Sequence, residues 1–520
     1  LKLHEIAYLA ILPKGPSNYR PESPTGHARA LERRNWVLGE MYDNDWITKA
    51  QRDEALAQPI GTTAQQGSPY GSEGGYYMEE VRRRLIAKFG EAAKDGPNSI
   101  YAGGLWVRTP MDPVIQKSAA DALRAGLLRY DTGHGWSGPV GKIAMDDRWP
   151  RTLASAFVGV DYADWRVAVV LSKDSSAAQI GFTGGSTGIL PASAAQLGYR
   201  KMGVPAFDAM KPGDLIVVTR AGGGWALRNI PEVSGGMMVE GTRYGRVYAM
   251  QGGFDAKLSS YNRATEAERQ PGSTIKPFVY AAALDNGMTP SSIIVDGPFC
   301  VYQGGRLGQK CFRNFGGEGA GAQTMRWGVE QSRNLMTVRA ASQTGMERVV
   351  RTIKTMGIGD YPPYLSFALG AGETTVEKIT NAYAMLANHG RALTPKVIDF
   401  VQDRHGMVIW PEKWHACKGC NAPDWDGKAM PRFDPEGRQL LNPMTAYQVI
   451  HITEGVILRG TATVLADLKR PLFGKTGTTN GPTNVWFVGG SPDLVAGVYL
   501  GYDTPRSLGG YAQGGRISAP

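Results

Sequence analysis

The chain has 520 residues, of which 42% are hydrophobic and 20% are charged, a composition typical of a globular protein with roughly three or four domains. Lys and Arg number 57 against 47 Asp and Glu. The excess suits an anionic partner such as a membrane surface, a cell-wall polymer or nucleic acid, or it is an ordinary solvated basic surface. No apolar run approaches the roughly 18 residues of a membrane span, which excludes a transmembrane helix within this sequence.

The chain starts at Leu1, without Met, directly inside the apolar pattern of residues 6–12. No charged-then-apolar signal segment opens it. We therefore expect the numbering to start inside a longer protein, with any membrane anchor upstream. The last residues, 516–520, are expected to stop before a final helix.

The first part of the chain predicts helices. Residues 1 to about 57 carry a mixed basic and apolar pattern, and residues 61–75 are rich in Gly and small polar residues, typical of a linker. A second helical pattern covers about 79–89. A strand is then predicted at 105–109, followed by a helix over 112–128 with Asp112 as its N-cap.

From about 138 to 230 the pattern changes to short strands separated by Gly and Pro, predicted at 154–160, 165–171 and 215–219. This spacing predicts a small OB-like β-barrel, a fold that often binds oligonucleotides or oligosaccharides. Only Trp165 and Trp225 stand out as aromatic platforms, so we do not expect nucleic acid as a partner. From Gly235 onward strands and helices alternate.

Four cysteines form two close pairs, Cys300 with Cys311 and Cys417 with Cys420. Local pairs in an even number favour disulfides in an oxidising compartment. Cys417 and Cys420 with His415 offer three zinc ligands, but no second pair completes a set of four. Free thiols are the third alternative.

The chemistry is predicted in the second half, where residues 270–277 read QPGSTIKP before an apolar helix. Pro277 is tolerated only among the first helical positions, which places Ser273 at the helix N-terminus. Lys276 lies three residues on, on the same helical face, with Cβ atoms roughly 5–6 Å apart. A lysine made neutral by burial or by neighbouring cations can take the serine proton. By itself S-x-x-K occurs by chance about once in a chain of this length.

Two further motifs follow in order. Ser332 and Asn334 form S-x-N, which is a common pattern, whereas Lys-Thr-Gly occurs once, at 475–477 between apolar segments. The set of all three in this order is the signature of the serine penicillin-recognising enzymes: transpeptidases, carboxypeptidases and β-lactamases.

Segments that flank the motifs indicate which of these enzyme classes the chain resembles. Residues 262–278 and 368–390 look like the corresponding segments of class A penicillin-binding proteins rather than of β-lactamases. Residues 10–19, AILPKGPSNY, resemble the last block of that family's peptidoglycan glycosyltransferase domain. The catalytic glutamates of that domain have no counterpart in this chain. We therefore expect glycosyltransferase activity only in a longer, full-length protein.

One feature favours a β-lactamase instead. Glu377 and Asn381 match the Glu-x-x-x-Asn element whose glutamate activates the deacylating water in those enzymes. The alternative is a capping box, in which Glu377 reaches back to the backbone N–H of Thr374 at the start of a helix. The sequence favours the capping box.

The resemblance implies roles for the motif residues. Ser273 would attack the penultimate D-Ala carbonyl, Lys276 would accept its proton, and Ser332 would relay a proton to the leaving D-Ala nitrogen. Backbone N–H groups of Ser273 and Thr478 would form the oxyanion hole. The expected substrate-binding residues are Asn334, Lys475, Thr476, Gly477 and Thr478.

The resemblance also predicts a multidomain α/β fold. Its parts are a glycosyltransferase remnant at 1–60, a linker and the start of the transpeptidase-associated region at 61–137, an OB-like barrel at 138–232, and a β-lactamase-like transpeptidase domain at 233–520. The expected function is a serine-type D,D-transpeptidase or carboxypeptidase at the periplasmic face of the bacterial inner membrane, without metal or other cofactor. The expected partners are peptidoglycan stem peptides, β-lactams and, through the OB-like module, cell-wall regulators. A hydrolytic β-lactamase and a non-catalytic wall-binding module are the alternatives.

Overall fold

The structure is a computed structural model that describes residues 1–19, 24–61, 74–156, 159–160, 162–302, 308–412, 424, 427 and 437–520. The chain folds into two compact units, Leu1–Ser72 and Glu73–Pro520. Within the described ranges, no helix combines the length and the apolar character needed to cross a membrane. Cys417 and Cys420 lie outside the described residues, so their pairing stays a prediction.

The first unit is helical, as the sequence pattern predicts. Its helices are α1 (Leu3–Ile11), α2 (Pro24–Asp43) and α3 (Lys49–Leu56). Ala7, Leu38 and Ala55, one from each helix, are buried together in a small core. Arg34 is fully buried, and its guanidinium donates to the carbonyl oxygens of residues 56 and 58, which ties the end of α3 to α2.

The second unit alternates helices with strands that pair in antiparallel sheets. Asp112 caps α5, since its Oδ1 accepts from the backbone N–H groups of Val114 and Ile115, as predicted. The helices are α4 (Gly75–Phe89), α5 (Pro113–Asp131), α6 (Trp149–Ser155), α7 (Ala206–Ala209), α8 (Lys276–Asp285), α9 (Met325–Glu330), α10 (Asn334–Thr344), α11 (Met346–Thr355), α12 (Val376–Ala387), α13 (Pro443–Leu458) and α14 (Gly514–Ile517). The strands are β1 (Trp106–Arg108), β2 (Gly141–Lys142), β3 (Arg166–Lys173), β4 (Ala177–Gly181), β5 (Thr187–Pro191), β6 (Asp214–Ala221), β7 (Gly224–Arg228), β8 (Ser234–Gly241), β9 (Val247–Gln251), β10 (Ile293–Asp296), β11 (Phe299–Tyr302), β12 (Gln309–Phe312), β13 (Gly321–Thr324), β14 (Phe400–Gln402), β15 (Val408–Trp410), β16 (Phe473–Thr478), β17 (Asn484–Gly490) and β18 (Leu494–Gly501).

Strands β2 to β7 form one sheet in the order β2-β6-β3-β4-β5, with β7 paired to β6. Alternate side chains such as Ala168, Val170, Ile216 and Val218 enter a core of their own, as the period of two in a half-buried strand requires. The predicted strands at 165–171 and 215–219 are confirmed. This sheet has its own hydrophobic core, separate from that of the motif-bearing half.

The predicted strand at 154–160 is wrong at each described residue of this range, because α6 occupies Trp149–Ser155 and residues 159–160 lie in no strand. Pro150 in the first turn suits a helix start, and Leu153 packs against Val169 and Leu215. A short run of small apolar residues does not distinguish helix from strand by periodicity alone.

The half that carries the three motifs is organised around a five-stranded sheet in the order β16-β17-β18-β8-β9. Along β17, Val485 and Phe487 pack on one face, whereas Trp486 and Val488 pack on the other. Both faces of this strand are therefore buried between helices. Strand β16 ends the sheet, so one of its edges carries no strand among the described residues.

Helix α8 lies inside the larger core. Its residues from Lys276 to Leu284 are all buried, and Phe278 meets Tyr383 of α12 edge to face at 5.4 Å between ring centroids. A helix that is apolar on all sides is expected in the centre of a domain. Lys276, in its first turn, is consequently held in a protein interior.

Candidate active site

Ser273 lies in a 3₁₀ turn, Gly272–Ile275, that leads directly into α8. This agrees with the helix start predicted from Pro277. Gly272 has φ 55°, and a Cβ there would approach Thr478 O to 2.9 Å, so glycine lets the turn pack closely against β16. Ser273 is half-buried, and no hydrogen bond engages its hydroxyl within the described residues.

Lys276 joins the first motif to the second. Its Nζ donates to Ser332 O at 2.7 Å and to Asn334 Oδ1 at 2.7 Å, with Ser332 Oγ further away at 3.4 Å. The side chain is fully buried. All of these acceptors are uncharged oxygens, so none of them compensates an ammonium charge.

The pKa of Lys276 is therefore lowered well below its ordinary value. Burial is the largest cause, and the nearby charges of Lys475 and Arg333 add to it, while Asp296 acts in the opposite direction. A lysine with a strongly depressed pKa is neutral over a wider range of pH. A neutral amine has two N–H donors and one lone pair, and the two short hydrogen bonds use both donors.

Lys475 joins the second motif to the third. Its Nζ donates to Ser332 Oγ at 2.8 Å and to Thr476 O at 3.0 Å. Burial lowers the pKa of Lys475 to about 7. Ser332 is thus in contact with both lysines, through its carbonyl oxygen on one side and its hydroxyl on the other.

Ser332 adopts a left-handed conformation, with φ 56°. It lies between the end of α9 and the start of α10, and its backbone N–H donates to Val329 O at 3.0 Å. A non-glycine residue in this region costs on the order of 1–3 kcal/mol and persists where the surroundings fix it. Here the conformation aims both oxygens of Ser332 at the two buried amines.

The Lys-Thr-Gly motif occupies the outer strand β16, next to the turn of Ser273. Thr476 Oγ1 and Thr461 Oγ1 lie 2.6 Å apart, and Thr478 Oγ1 accepts from Gly514 N at 3.1 Å. A Cβ at Gly477 would lie 2.5 Å from Pro271 O. Glycine at this position therefore allows strand and turn to meet.

The structure thus brings Lys276, Ser332, Asn334 and Lys475 into direct contact and packs Ser273 and Thr476 to Thr478 beside them. Sequence reasoning missed several supporting residues: Thr461, Trp486, Asp296, Asn314 and Arg333. Trp486 Nε1 donates to Gln270 O at 2.9 Å and so fixes the serine turn. None of the five belongs to a motif except Arg333, the variable centre of S-x-N.

Two other predicted features lie outside this cluster. Cys300 and Cys311 face each other in β11 and β12 and form a disulfide. The predicted capping box is wrong: the N-cap of α12 is Thr375, whose side chain accepts from Lys378 N. The N–H of Thr374 donates to Arg269 O instead.

Glu377 is engaged elsewhere. Its carboxylate pairs with Arg84 of α4, which also binds Glu80 at 2.7 Å. The Glu377 carboxylate thus binds Arg84, which is far away in the sequence, and does not bind the backbone N–H of Thr374 as the capping box required.

The sheet is covered by helices on both faces, Ser273 lies at the start of a buried helix, and Ser332 contacts two buried lysines. This arrangement fits the class of site at which a serine acts as a nucleophile. The penicillin binding protein transpeptidase domain matches residues 235–520, and the penicillin-binding protein OB-like domain matches residues 136–233. The chain is 37% identical to penicillin-binding protein 1A of Rickettsia bellii over its whole length, and 34% identical to penicillin-binding protein 1A of Neisseria gonorrhoeae. The chain spans 65% and 63% of the length of these two relatives.

The structure is similar to a crystal structure of penicillin-binding protein 1A from Haemophilus influenzae, with a TM-score of 0.76 and 28% sequence identity. The match covers 99% of this chain and 78% of the Haemophilus chain. The chain therefore belongs to the penicillin-binding protein transpeptidase family, and the class A resemblance is confirmed. The predicted fold class, a transpeptidase domain with an OB-like module and N-terminal helices, is confirmed as well.

Proposed function

We propose that the chain is a peptidoglycan D,D-transpeptidase that works through an acyl-enzyme on Ser273. The observation that carries the proposal is the pair of 2.7 Å hydrogen bonds from the buried Lys276 amine to Ser332 O and Asn334 Oδ1. With both N–H groups donated, the lone pair of a neutral Lys276 remains for the proton of the Ser273 hydroxyl. Membership of the transpeptidase family supports this reaction class.

Acylation begins with the transfer of the Ser273 proton to Lys276 as Oγ attacks the carbonyl carbon of the penultimate D-Ala. The negative charge that develops on the carbonyl oxygen is stabilised by the backbone N–H groups of Ser273 and Thr478. Such donors typically contribute about 2.7–4 kcal/mol each. The N-terminus of α8 adds a favourable field at the same point.

Departure of the terminal D-Ala requires a proton on its nitrogen. Ser332 Oγ accepts a hydrogen bond from Lys475, which provides a path from the amine of Lys475 through the hydroxyl to the leaving group. A pKa of about 7 for Lys475 suits a group that gives up and regains a proton near neutral pH. An amine of a second stem peptide then attacks the ester and gives its proton through Ser332 back to Lys475. Lys276 returns its proton to Ser273 Oγ as the ester bond breaks.

The substrate would bind as an extended segment along the open edge of β16, because a strand edge offers backbone N–H and C=O groups to a peptide. Thr476 and Thr478 would hold the terminal carboxylate, with the charge of Lys475 nearby. Asn334 has a further role that the resemblance does not imply, because its side chain also binds other groups of the site. Its Oδ1 accepts from Lys276 and its Nδ2 donates to Arg313 O at 3.1 Å, so it holds the base as well as the peptide group.

We propose the wider context on the same grounds. Transpeptidation requires no metal or organic cofactor, since side chains of the chain itself accept and supply every proton that the two stem peptides lose and gain. β-Lactams, which mimic the acylating substrate, would form a stable ester on Ser273. The full-length protein would act at the periplasmic face of the inner membrane, with its own glycosyltransferase activity and with cell-wall regulators at the OB-like module. The Cys300–Cys311 disulfide supports an oxidising compartment.

The test is intact mass spectrometry of the chain after incubation with a fluorescent penicillin, followed by mapping of the labelled peptide. We expect one penicilloyl group on Ser273. The Ser273→Ala variant is expected to show no covalent labelling at an unchanged melting temperature. Labelling of that variant at the wild-type level would show that another residue is the nucleophile.

A further inference from the structure

Helix α10, which begins at Asn334, takes its N-terminal cap from a distant part of the chain. Arg333, the residue before the helix, provides no side-chain cap. Instead, Oδ1 of Asn314 accepts from the backbone N–H groups of Asn334 at 2.9 Å and Leu335 at 3.1 Å. These are two of the orphan donors that every helix start must satisfy.

Asn314 is itself held by a buried carboxylate, Asp296, at the end of β10. Nδ2 of Asn314 donates to Asp296 Oδ1 at 2.8 Å, and Arg333 Nε donates to Asp296 Oδ2 at 2.6 Å. The backbone N–H of Ala320 donates to the same carboxylate at 3.0 Å. Asp296 is 1% exposed, so its charge is compensated within this network.

The network reaches the catalytic base through Asn334. The two polar atoms of its side chain connect Lys276 on one side to the carbonyl of Arg313 on the other. Residues 313 and 314 follow β12, whose Phe312 packs with Leu335 of α10. Backbone and side chain of Asn334 are thus both fixed from the same segment.

We propose that Asp296 and Asn314 are positioning residues of the acyl-transfer site, which hold Arg333 and Asn334 so that Asn334 Oδ1 and Ser332 O stay on the Lys276 amine. They touch neither substrate nor reacting atoms and act through the S-x-N motif. The inference rests on the proposed roles of Ser273 and Lys276.

The charges of the network also act on the base. The charged groups that influence Lys276 are Lys475 from β16, Arg333 from the start of α10 and Asp296 from β10. Tyr280, one turn further along α8, bonds Thr337 Oγ1 at 3.1 Å, and burial raises its pKa, so it stays neutral. Arg333 lowers the pKa of Lys276 and Asp296 raises it. Removing one or the other must therefore move the titration of the base in opposite directions.

The chain contains a matched control at a different place. Near the OB-like sheet, Oδ1 of Asn229 accepts from Ser137 N at 2.7 Å, and its Nδ2 donates to Asp131 Oδ2 at 2.6 Å. Asp131 is 8% exposed and pairs with Arg200. This triad has the same chemistry as Asn314, Asp296 and Arg333, without a contact to any residue of the three motifs among the described residues.

The first experiment compares Asn314→Ala with Asn229→Ala. The second-order rate constant of acylation by a fluorescent penicillin and the melting temperature are measured for both variants and for the wild type. We expect Asn314→Ala to acylate about 10- to 100-fold more slowly, since small displacements of catalytic groups have effects of this size. Asn229→Ala should acylate within twofold of the wild type at a comparable loss of melting temperature. Equal rates for the two variants would overturn the inference.

The second experiment separates positioning from general stability by pH and by exchange of partners. As pH rises, acylation should increase through the pKa of Lys276. Asp296→Asn should move this limb to lower pH and Arg333→Gln to higher pH, whereas Asp131→Asn should leave it in place. The exchange variant combines Asp296→Asn with Asn314→Asp and so retains the hydrogen-bonded pair and one carboxylate. It should acylate faster than Asp296→Asn alone and faster than Asn314→Asp alone.

The outcomes distinguish this inference from the proposed function. Identical pH limbs in all variants, or an exchange variant no faster than the single ones, would refute the positioning roles while Ser273 still carried the label in the wild type. Absence of penicillin labelling in the wild type would instead refute the acyl-enzyme itself.

Discussion

Lys276 and Arg84 are both basic side chains of the second unit, the first fully buried and the second about one-third exposed at 32%, and they have opposite surroundings. Within the described part of the chain, Lys276 donates only to uncharged oxygens, those of Ser332 and Asn334. Arg84 binds two carboxylates, Glu80 and Glu377. The positive charge of Arg84 is therefore compensated by carboxylates, whereas a charge on Lys276 would not be.

The difference suits Lys276 to the proposed role of a base and Arg84 to a structural role. A lysine that is desolvated without a counter-charge loses its proton more easily, and a neutral amine can accept one from a serine. A guanidinium stays charged, and here it keeps both carboxylate partners engaged. Glu377 is therefore held by α4 rather than presented to an ester.

The largest effect is expected from Lys276→Met, which removes the uncompensated amine. Acylation by penicillin should fall about 10²- to 10⁴-fold, the usual contribution of a positioned acid or base. In the wild type, acylation should rise through the depressed pKa of Lys276, well below the pH of about 10.4 at which a solvated lysine titrates. Stopped-flow labelling across pH measures both quantities.

The control for this prediction is Arg84→Met, which removes the compensated cation. It should lower the melting temperature, since Glu80 and Glu377 lose their partner, and leave the acylation rate within about threefold of the wild type. A large loss of acylation rate in Arg84→Met, with none in Lys276→Met, would contradict the role of Lys276 as the base.

An intermediate effect is expected from the disulfide, which lies beside the reactive region without joining it. The double variant Cys300→Ser with Cys311→Ser should lose about 2–3 kcal/mol of unfolding free energy in urea, the loop-closure value for a short loop. The rate of acylation should change less than in Asn314→Ala.

Peptide mapping without reductant should recover the bonds Cys300–Cys311 and Cys417–Cys420. Free thiols at all four positions, or stoichiometric zinc at the second pair, would contradict the predicted pairing.

The smallest effect is expected from Glu377→Gln, and it separates a transpeptidase from a β-lactamase. The penicilloyl ester on Ser273 should persist for minutes to hours in both the wild type and the variant, because the Glu377 carboxylate is engaged with Arg84. Stability should fall by about 1 kcal/mol, the upper end for a partly exposed ion pair. If the wild type released penicilloic acid many times per minute and the variant trapped the adduct, the β-lactamase alternative would be correct.

Much of the candidate site could be predicted from sequence because its motifs are local. The spacing of Ser273 and Lys276 follows from one helical turn, and Pro277 marks where that turn begins. The caps were less predictable. Asp112 caps α5 as its position before Pro113 indicates, whereas Thr375 rather than Thr374 caps α12, since adjacent threonines offer the same local signal.

By itself the sequence determined the candidate reactive groups and the elements in which they lie, since helical and strand periods and proline restrictions act over a few residues. Only the tertiary structure decided their states. The depressed pKa of Lys276 depends on burial in a core formed by helices and a sheet, and on the charges of Lys475, Arg333 and Asp296. The cap that Asn314 gives to Asn334, and the pairing of Glu377 with Arg84, join residues far apart in the chain. No local pattern encodes such contacts, because they form only when separate elements pack together.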